Sequence, residues 1–174
     1  MMNTKNGIQL EAIDRTPLLA ELKVSYRRRR GIRGMNAERP YVIIDSKSCE
    51  IYLRQIWNQD TIELREEFIV LCLNSANEVL GWINIASCGI NSTVVDPRII
   101  FGVALQTAST SIIVAHNHPS GLLRPSHQDI VITEQLRAAG EMLAITLYDH
   151  LIVTHDRYYS FADMGWTGVT TFLE

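Results

Sequence analysis

The sequence predicts an α/β fold: a single sandwich domain whose mixed central sheet is flanked by helices. Three observations carry this. With 174 residues, 47% of them hydrophobic, the chain is about one domain long and can build a core without disulfides. The run FIVLCL inside Ile62 to Leu73 is too continuous for a half-exposed strand, and Ile112-Ile113-Val114 reads as a second, shorter buried strand. Helix start signals separate and follow these runs, so that hairpins and crossover helices alternate around one sheet.

Taken in order, residues 1 to 10 read as an unstructured start, and Leu18 to Tyr26 ends in a strand-like LKVSY. RRRRGIRGMNAERP then carries charges, glycines and a proline and reads as a connector. This divides the chain into an N-terminal extension with a basic arm, 1–37, and one domain, 38–174. From Ser46, the residues Cys49, Tyr52, Leu53, Ile56 and Trp57 recur at helical spacing and predict an amphipathic helix. Ile62 to Leu73 and Val79 to Ala86 form an antiparallel hairpin through the four-residue turn Asn74 to Asn77. Asp96-Pro97 starts a second helix, aspartate as N-cap and proline in first position, ending near Ser109. After the Ile112 to Val114 strand, a helix capped by Ser126 runs to Gly140 as its C-terminal stop. Ile145 to Thr154 is a further strand, Tyr158 to Ser160 returns beside it, and Ser160-x-x-Asp163 caps a last short turn.

Chemistry concentrates in SIIVAHNHPSGLLRPSHQD, residues 111–129. His116 and His118, two apart just past the short strand, project the same way, so both imidazoles can reach one ion. Pro119, Gly121 and Pro125 delay the helix until Ser126. Asp129 falls in the first helical turn, where the helix dipole favours a carboxylate that can lean back toward the histidines. Two histidines and one aspartate leave a coordination position open, the arrangement of catalytic rather than structural zinc. Each part has a plainer reading. Ser126-x-x-Asp129 is also a capping box, and a His-x-His pair also occurs in ordinary loops; the combination at this spacing is what favours metal. His127 reads as a spectator on the exposed first turn.

The spacing His116-x-His118, seven residues, Ser126-x-x-Asp129 resembles the JAMM motif of the JAB/MPN metallopeptidases. HNHPSG, the PS before the helix and the later YDHLIV resemble the RadC branch more closely, from about Glu38 to the C-terminus. The resemblance implies a JAB/MPN, cytidine-deaminase-like architecture and zinc (Zn2+) held by His116, His118 and Asp129. It also implies a zinc-bound water, a distant glutamate as general base, and Ser126 stabilising the oxyanion. Strand alternation puts Glu66 and Glu67 on opposite faces without saying which face holds the metal. RadC-like sequences carry Glu-x-Phe before such an apolar run, which selects Glu66. In the last long strand Asp149 and His150 also face opposite ways; Asp149 is a candidate to accept a hydrogen bond from a ligand imidazole. RadC proteins commonly carry an N-terminal helix-hairpin-helix, which nothing in the first 40 residues resembles.

Two functions compete. The first is a zinc-dependent hydrolase of amide or isopeptide bonds in a protein or peptide substrate. The second is a non-enzymatic, metal-containing binding module linked to DNA repair or processing; it could dispense with Glu66 and Ser126, which this chain retains. The three cysteines form no Cys-x-x-Cys and fit a reducing cytoplasm, and none lies in an electropositive loop beside a histidine, which argues against a cysteine nucleophile. The Pro-Cys-x-x-Cys of zinc deaminases is missing. No apolar run approaches a membrane span, so no membrane is expected. A net charge of -3 gives no global basic field, leaving Arg27, Arg28, Arg29 and Arg30 as a weak nucleic-acid contact at most.

Overall fold

The computed structural model describes residues 40–88 and 95–166. The strand-like stretch Leu18 to Tyr26 and the basic run Arg27 to Arg30 lie outside the described residues. Helix α1, Ser46–Ile56, begins at a reciprocal cap in which Asp45 accepts from Ser48 N–H at 2.6 Å and Ser48 Oγ accepts from Asp45 N–H at 3.0 Å. Two otherwise unpaired donors are thereby satisfied. The helical spacing buries Cys49, Tyr52 and Leu53. Strands β1, Glu66–Leu73, and β2, Val79–Cys88, make the antiparallel hairpin. β1 begins at Glu66 rather than Ile62 because the buried Asn117 side chain donates to the carbonyls of Ile62 and Arg65 at 2.6 and 2.8 Å. Residues 62–65 turn around that amide instead of joining the ladder. β2 runs past Ala86 to Cys88, and the hairpin connection extends through Glu78, one residue longer than expected, because Glu78 bridges to Val42.

Helix α2, Pro97–Gln106, has Asp96 as N-cap and stops short of Ser109, where Ala108 takes a left-handed φ of 51°. Strand β3, Ser111–Asn117, is longer than its apolar run, so His116 lies inside it and only His118 follows its end. Helix α3, His127–Leu143, continues past Gly140 and ends at Ala144, which adopts a left-handed φ of 54°. Gly140 serves close packing instead: a Cβ there would collide with the carbonyl oxygen of Ile145. Strands β4, Thr146–Val153, and β5, Tyr158–Ser160, complete a five-stranded sheet of order β2-β1-β3-β4-β5. The β3–β4 pair is parallel and the other pairs antiparallel. The fold is the expected α/β arrangement of one mixed sheet between helices.

The sheet separates two cores. On one face Ile69, Leu71, Ile113, Ala115, Leu151 and Val153 pack against α1 through Cys49, Tyr52 and Leu53. On the other, Phe68, Val70, Ile112, Val114 and Leu147 meet Ile100, Phe101 and Ala104 of α2 and Leu136 of α3. β1 and β3 are buried along nearly their whole length, which is why their sequences lack polar alternation. Cys49 and Cys72 are buried free thiols. Among the described residues no helix is long and apolar enough to cross a membrane.

Candidate metal centre

Alternation along β1 and β3 decides which side chains share the α2/α3 face. Phe68 and His116 are paired across the two strands, and their rings stack with centroids 6.1 Å apart. His116 therefore leaves the core as the last inward position of that face. The next residue on the same side, His118, stands in the loop. Its Nδ1 lies 2.6 Å from the carbonyl oxygen of Leu122, which has no proton to give, so Nδ1–H donates and the neutral ring has a bare Nε2. The two Nε2 atoms are 2.9 Å apart.

Asp129 reaches them from α3. Its Oδ2 accepts from the Ser126 backbone N–H at 2.6 Å, while Ser126 Oγ accepts from Asp129 N–H at 3.2 Å. This capping box holds the carboxylate so that Oδ1 stands 3.1 Å from His116 Nε2 and Oδ2 3.6 Å from His118 Nε2. Burial works against ionisation of Asp129, but the facing His116 and His118 and the Ser126 contact hold its carboxyl well below the ordinary carboxylate range. Burial likewise opposes charge on His118, and Asp129, the Leu122 carbonyl and Glu66 outweigh it, raising its pKa. The site attracts positive charge. Ligand atoms of His116, His118 and Asp129 all lie within 4.8 Å of one another. Converging this closely, the three side chains could serve as ligands to one ion, and this borderline donor set fits zinc.

A third imidazole stands behind His116. His150 Nε2 is 2.8 Å from His116 Nδ1, and His150 Nδ1 is 2.6 Å from Thr133 Oγ1. Burial and the neighbouring His116 push the His150 pKa well below its ordinary value, so it stays neutral. The position expected of Asp149 is thus occupied by His150. A register shift opposite Ile112 and Ile113 sets two β4 residues against one, which turns Asp149 toward the α1 face and His150 toward the histidines. Asp149 instead accepts from Ser160 Oγ at 2.6 Å and Ala162 N–H at 3.0 Å. Its burial raises its pKa to about 6 despite those bonds. Nothing in the apolar pattern of YDHLIV announces the shift. Thr133 was legible in principle, since it lies four residues beyond Asp129 on the same helix face.

The donors open into a cleft of about 650 Å³ whose wall includes Glu66, Phe68, Ser126, Leu122, Arg124 and Val131. Glu66 pairs with Cys88 in the β1–β2 ladder, while its side chain makes no hydrogen bond or ion pair with the described residues. Glu67 lies on the opposite face, buried, where it accepts from Arg65 Nε at 3.0 Å and Thr61 Oγ1 at 3.2 Å. His127 is exposed at the cleft rim.

Residues 44–166 match the family described as RadC-like JAB domain. A UPF0758 protein of Flavobacterium johnsoniae is 46% identical over 100 residues, covering 58% of this chain and 44% of that protein. One from Desulforamulus reducens is 35% identical over 146 residues, covering 83% of this chain and 63% of its own length. Another, from Methanosarcina barkeri, is 40% identical over 102 residues, 59% of this chain and 44% of the relative. The chain spans about half the length of these curated relatives. With the histidine pair at the end of β3, the aspartate at the start of α3 and a match over most of the described residues, the chain belongs to the RadC-like JAB domain family.

Proposed function

We propose that the cleft is the active site of a zinc-dependent hydrolase acting on amide or isopeptide bonds of a protein or peptide. The observation that carries this reading is the shared wall: Glu66 and Ser126 line the same cleft as His116, His118 and Asp129. The three donors would hold the ion, leaving one position open. Zinc, when bound, supplies a Lewis acid for the carbonyl and lowers the pKa of a bound water to about 7. Glu66, whose carboxylate has no hydrogen bond or ion pair among the described residues, accepts a proton from the attacking water and returns it to the leaving nitrogen. Ser126 uses a lone pair in its capping bond, which leaves its hydroxyl proton for the substrate oxygen. Phe68, Val95 and Leu122 give the cleft an apolar side that shields the reacting bond from water.

The test is elemental analysis of the purified protein, followed by panels of peptides and isopeptide-linked conjugates. One zinc per chain and cleavage abolished by chelation are expected. A zinc-loaded protein that cleaves nothing would favour a binding module, and a protein unable to take up zinc would overturn the reading.

A further inference from the structure

We infer that Thr133 and His150 are positioning residues: a buried relay that fixes the His116 tautomer and ties it to the helix turn carrying Asp129. The inference takes its purpose from the metal reading above, but its hydrogen-bond order stands on geometry alone. Both residues are 0% exposed. Thr133 Oγ1 lies 2.5 Å from the backbone carbonyl oxygen of Asp129, and that oxygen can only accept. The hydroxyl proton is therefore committed to Asp129. Thr133 Oγ1 must then receive a proton from His150 Nδ1, 2.6 Å away. A neutral imidazole with a protonated Nδ1 has a bare Nε2, which accepts across 2.8 Å from His116 Nδ1.

Each bond in the series dictates the next, and the last leaves His116 Nε2 unprotonated and aimed at His118 and Asp129. The reverse order would set two oxygens 2.5 Å apart with no hydrogen between them. His150 cannot rotate out of the series easily, because its ring is stacked on Phe161 with centroids 4.9 Å apart and planes within 7°. Nor is it a fourth ligand, since both of its nitrogens are spent. The relay joins β3, β4 and α3, so the two ligands that come from different elements share one set of hydrogen bonds.

The experiment has two parts. Nitrogen-15 NMR of the metal-free protein at mildly alkaline pH reads the tautomers directly: His150 and His116 should both carry their proton on Nδ1. Competition of zinc(II) against a chromophoric chelator then reads affinity in Thr133→Val, Thr133→Ser and His150→Phe. Removing the relay should weaken zinc binding about 10- to 100-fold, the usual effect of losing a ligand's hydrogen-bond partner. Thr133→Ser, which restores the hydroxyl, should bind as the parent does. Thr133→Val is nearly isosteric and carries the test even where His150→Phe fails to fold. Parent-like zinc affinity in Thr133→Val, or a proton on His150 Nε2, would overturn the inference. If the parent protein takes up no zinc, the metal reading fails, while the tautomers still decide the relay.

Discussion

Glu66 and Glu67 are adjacent and chemically identical, yet exchange of one oxygen for nitrogen in each should have opposite consequences. Glu66→Gln places an amide in the cleft, which cannot accept a proton from water. Removal of a general base lowers rates by about 10² to 10⁴, or roughly 3 to 5 kcal/mol of barrier. Because the Glu66 side chain has no hydrogen bond or ion pair among the described residues, neither folding nor zinc content should change. Glu67→Gln acts on the α1 face, where the glutamate is 4% exposed and pairs with an Arg65 side chain that is 44% exposed. Solvent screens that ion pair, and the amide oxygen still accepts from Thr61, so the cost is about 1 kcal/mol of stability. For a chain of this size that lowers Tm by roughly 2 to 4 °C. Turnover, zinc content and thermal unfolding of both variants should therefore separate into one catalytic and one stability phenotype. Equal activity in the two, or loss confined to Glu67→Gln, would refute the assignment of the base.

Other perturbations follow from the same geometry. The His116→Ala, His118→Ala double variant should lose bound zinc by elemental analysis; full metal content would sink the ligand assignment. In the parent, protons compete for the imidazoles, and because the His118 pKa is raised, zinc affinity should begin to fall at a pH above the usual 6.5 as acid is added, measured by titration against a chelator. Asp149 has a folded pKa of about 6 against an ordinary 3.8, so its stabilising protonated form is fully present below 3.8 and lost as pH rises through 6. Asp149→Asn should thus match the parent near pH 4 and exceed it at pH 7 by on the order of 2 to 3 kcal/mol, read by denaturant unfolding at both pH values. Gly140→Ala should destabilise by about 1 to 3 kcal/mol despite better helix propensity, because the Ile145 carbonyl occupies the space; a rise in Tm would show that α3 can move aside. Any nucleic-acid affinity carried by Arg27 to Arg30 should fall with salt at a log–log slope no steeper than about -4, and salt-resistant binding after deletion of the arm would contradict it.

What was readable in the sequence was what chemistry writes locally. Caps at Asp96 and Ser126 announced two helix starts because a short polar side chain before an apolar period has few other uses. The uninterrupted apolar run of β1 announced a strand covered on both faces. The ends were less readable. Gly140 looked like a stop and is instead a contact point, since the sequence does not show which backbone approaches it. The short apolar core of β3 hid the strand's continuation through His116, whose polarity belongs to the site rather than to a loop. His150 was hidden for a geometric reason: a register shift changes the parity of β4, and parity decides which of two adjacent residues reaches His116.

The plain and the functional readings of Ser126-x-x-Asp129 describe one arrangement. As a capping box, it needs Asp129 ionised and one carboxylate oxygen turned back to the Ser126 N–H. As a ligand, it needs the same ionised carboxylate, rigid, with a lone pair aimed at the histidines. The helix N-terminus favours the negative charge in both roles. The second oxygen's direction is fixed by the bond that the first one makes. A surface helix would use the box to hold its own end, and that contribution is unchanged by what stands in front of it. What distinguishes this box is that β3 and the loop after it deliver two imidazoles to its open side, one of them steadied from behind by His150, so that the cap also becomes the third wall of the proposed cation site.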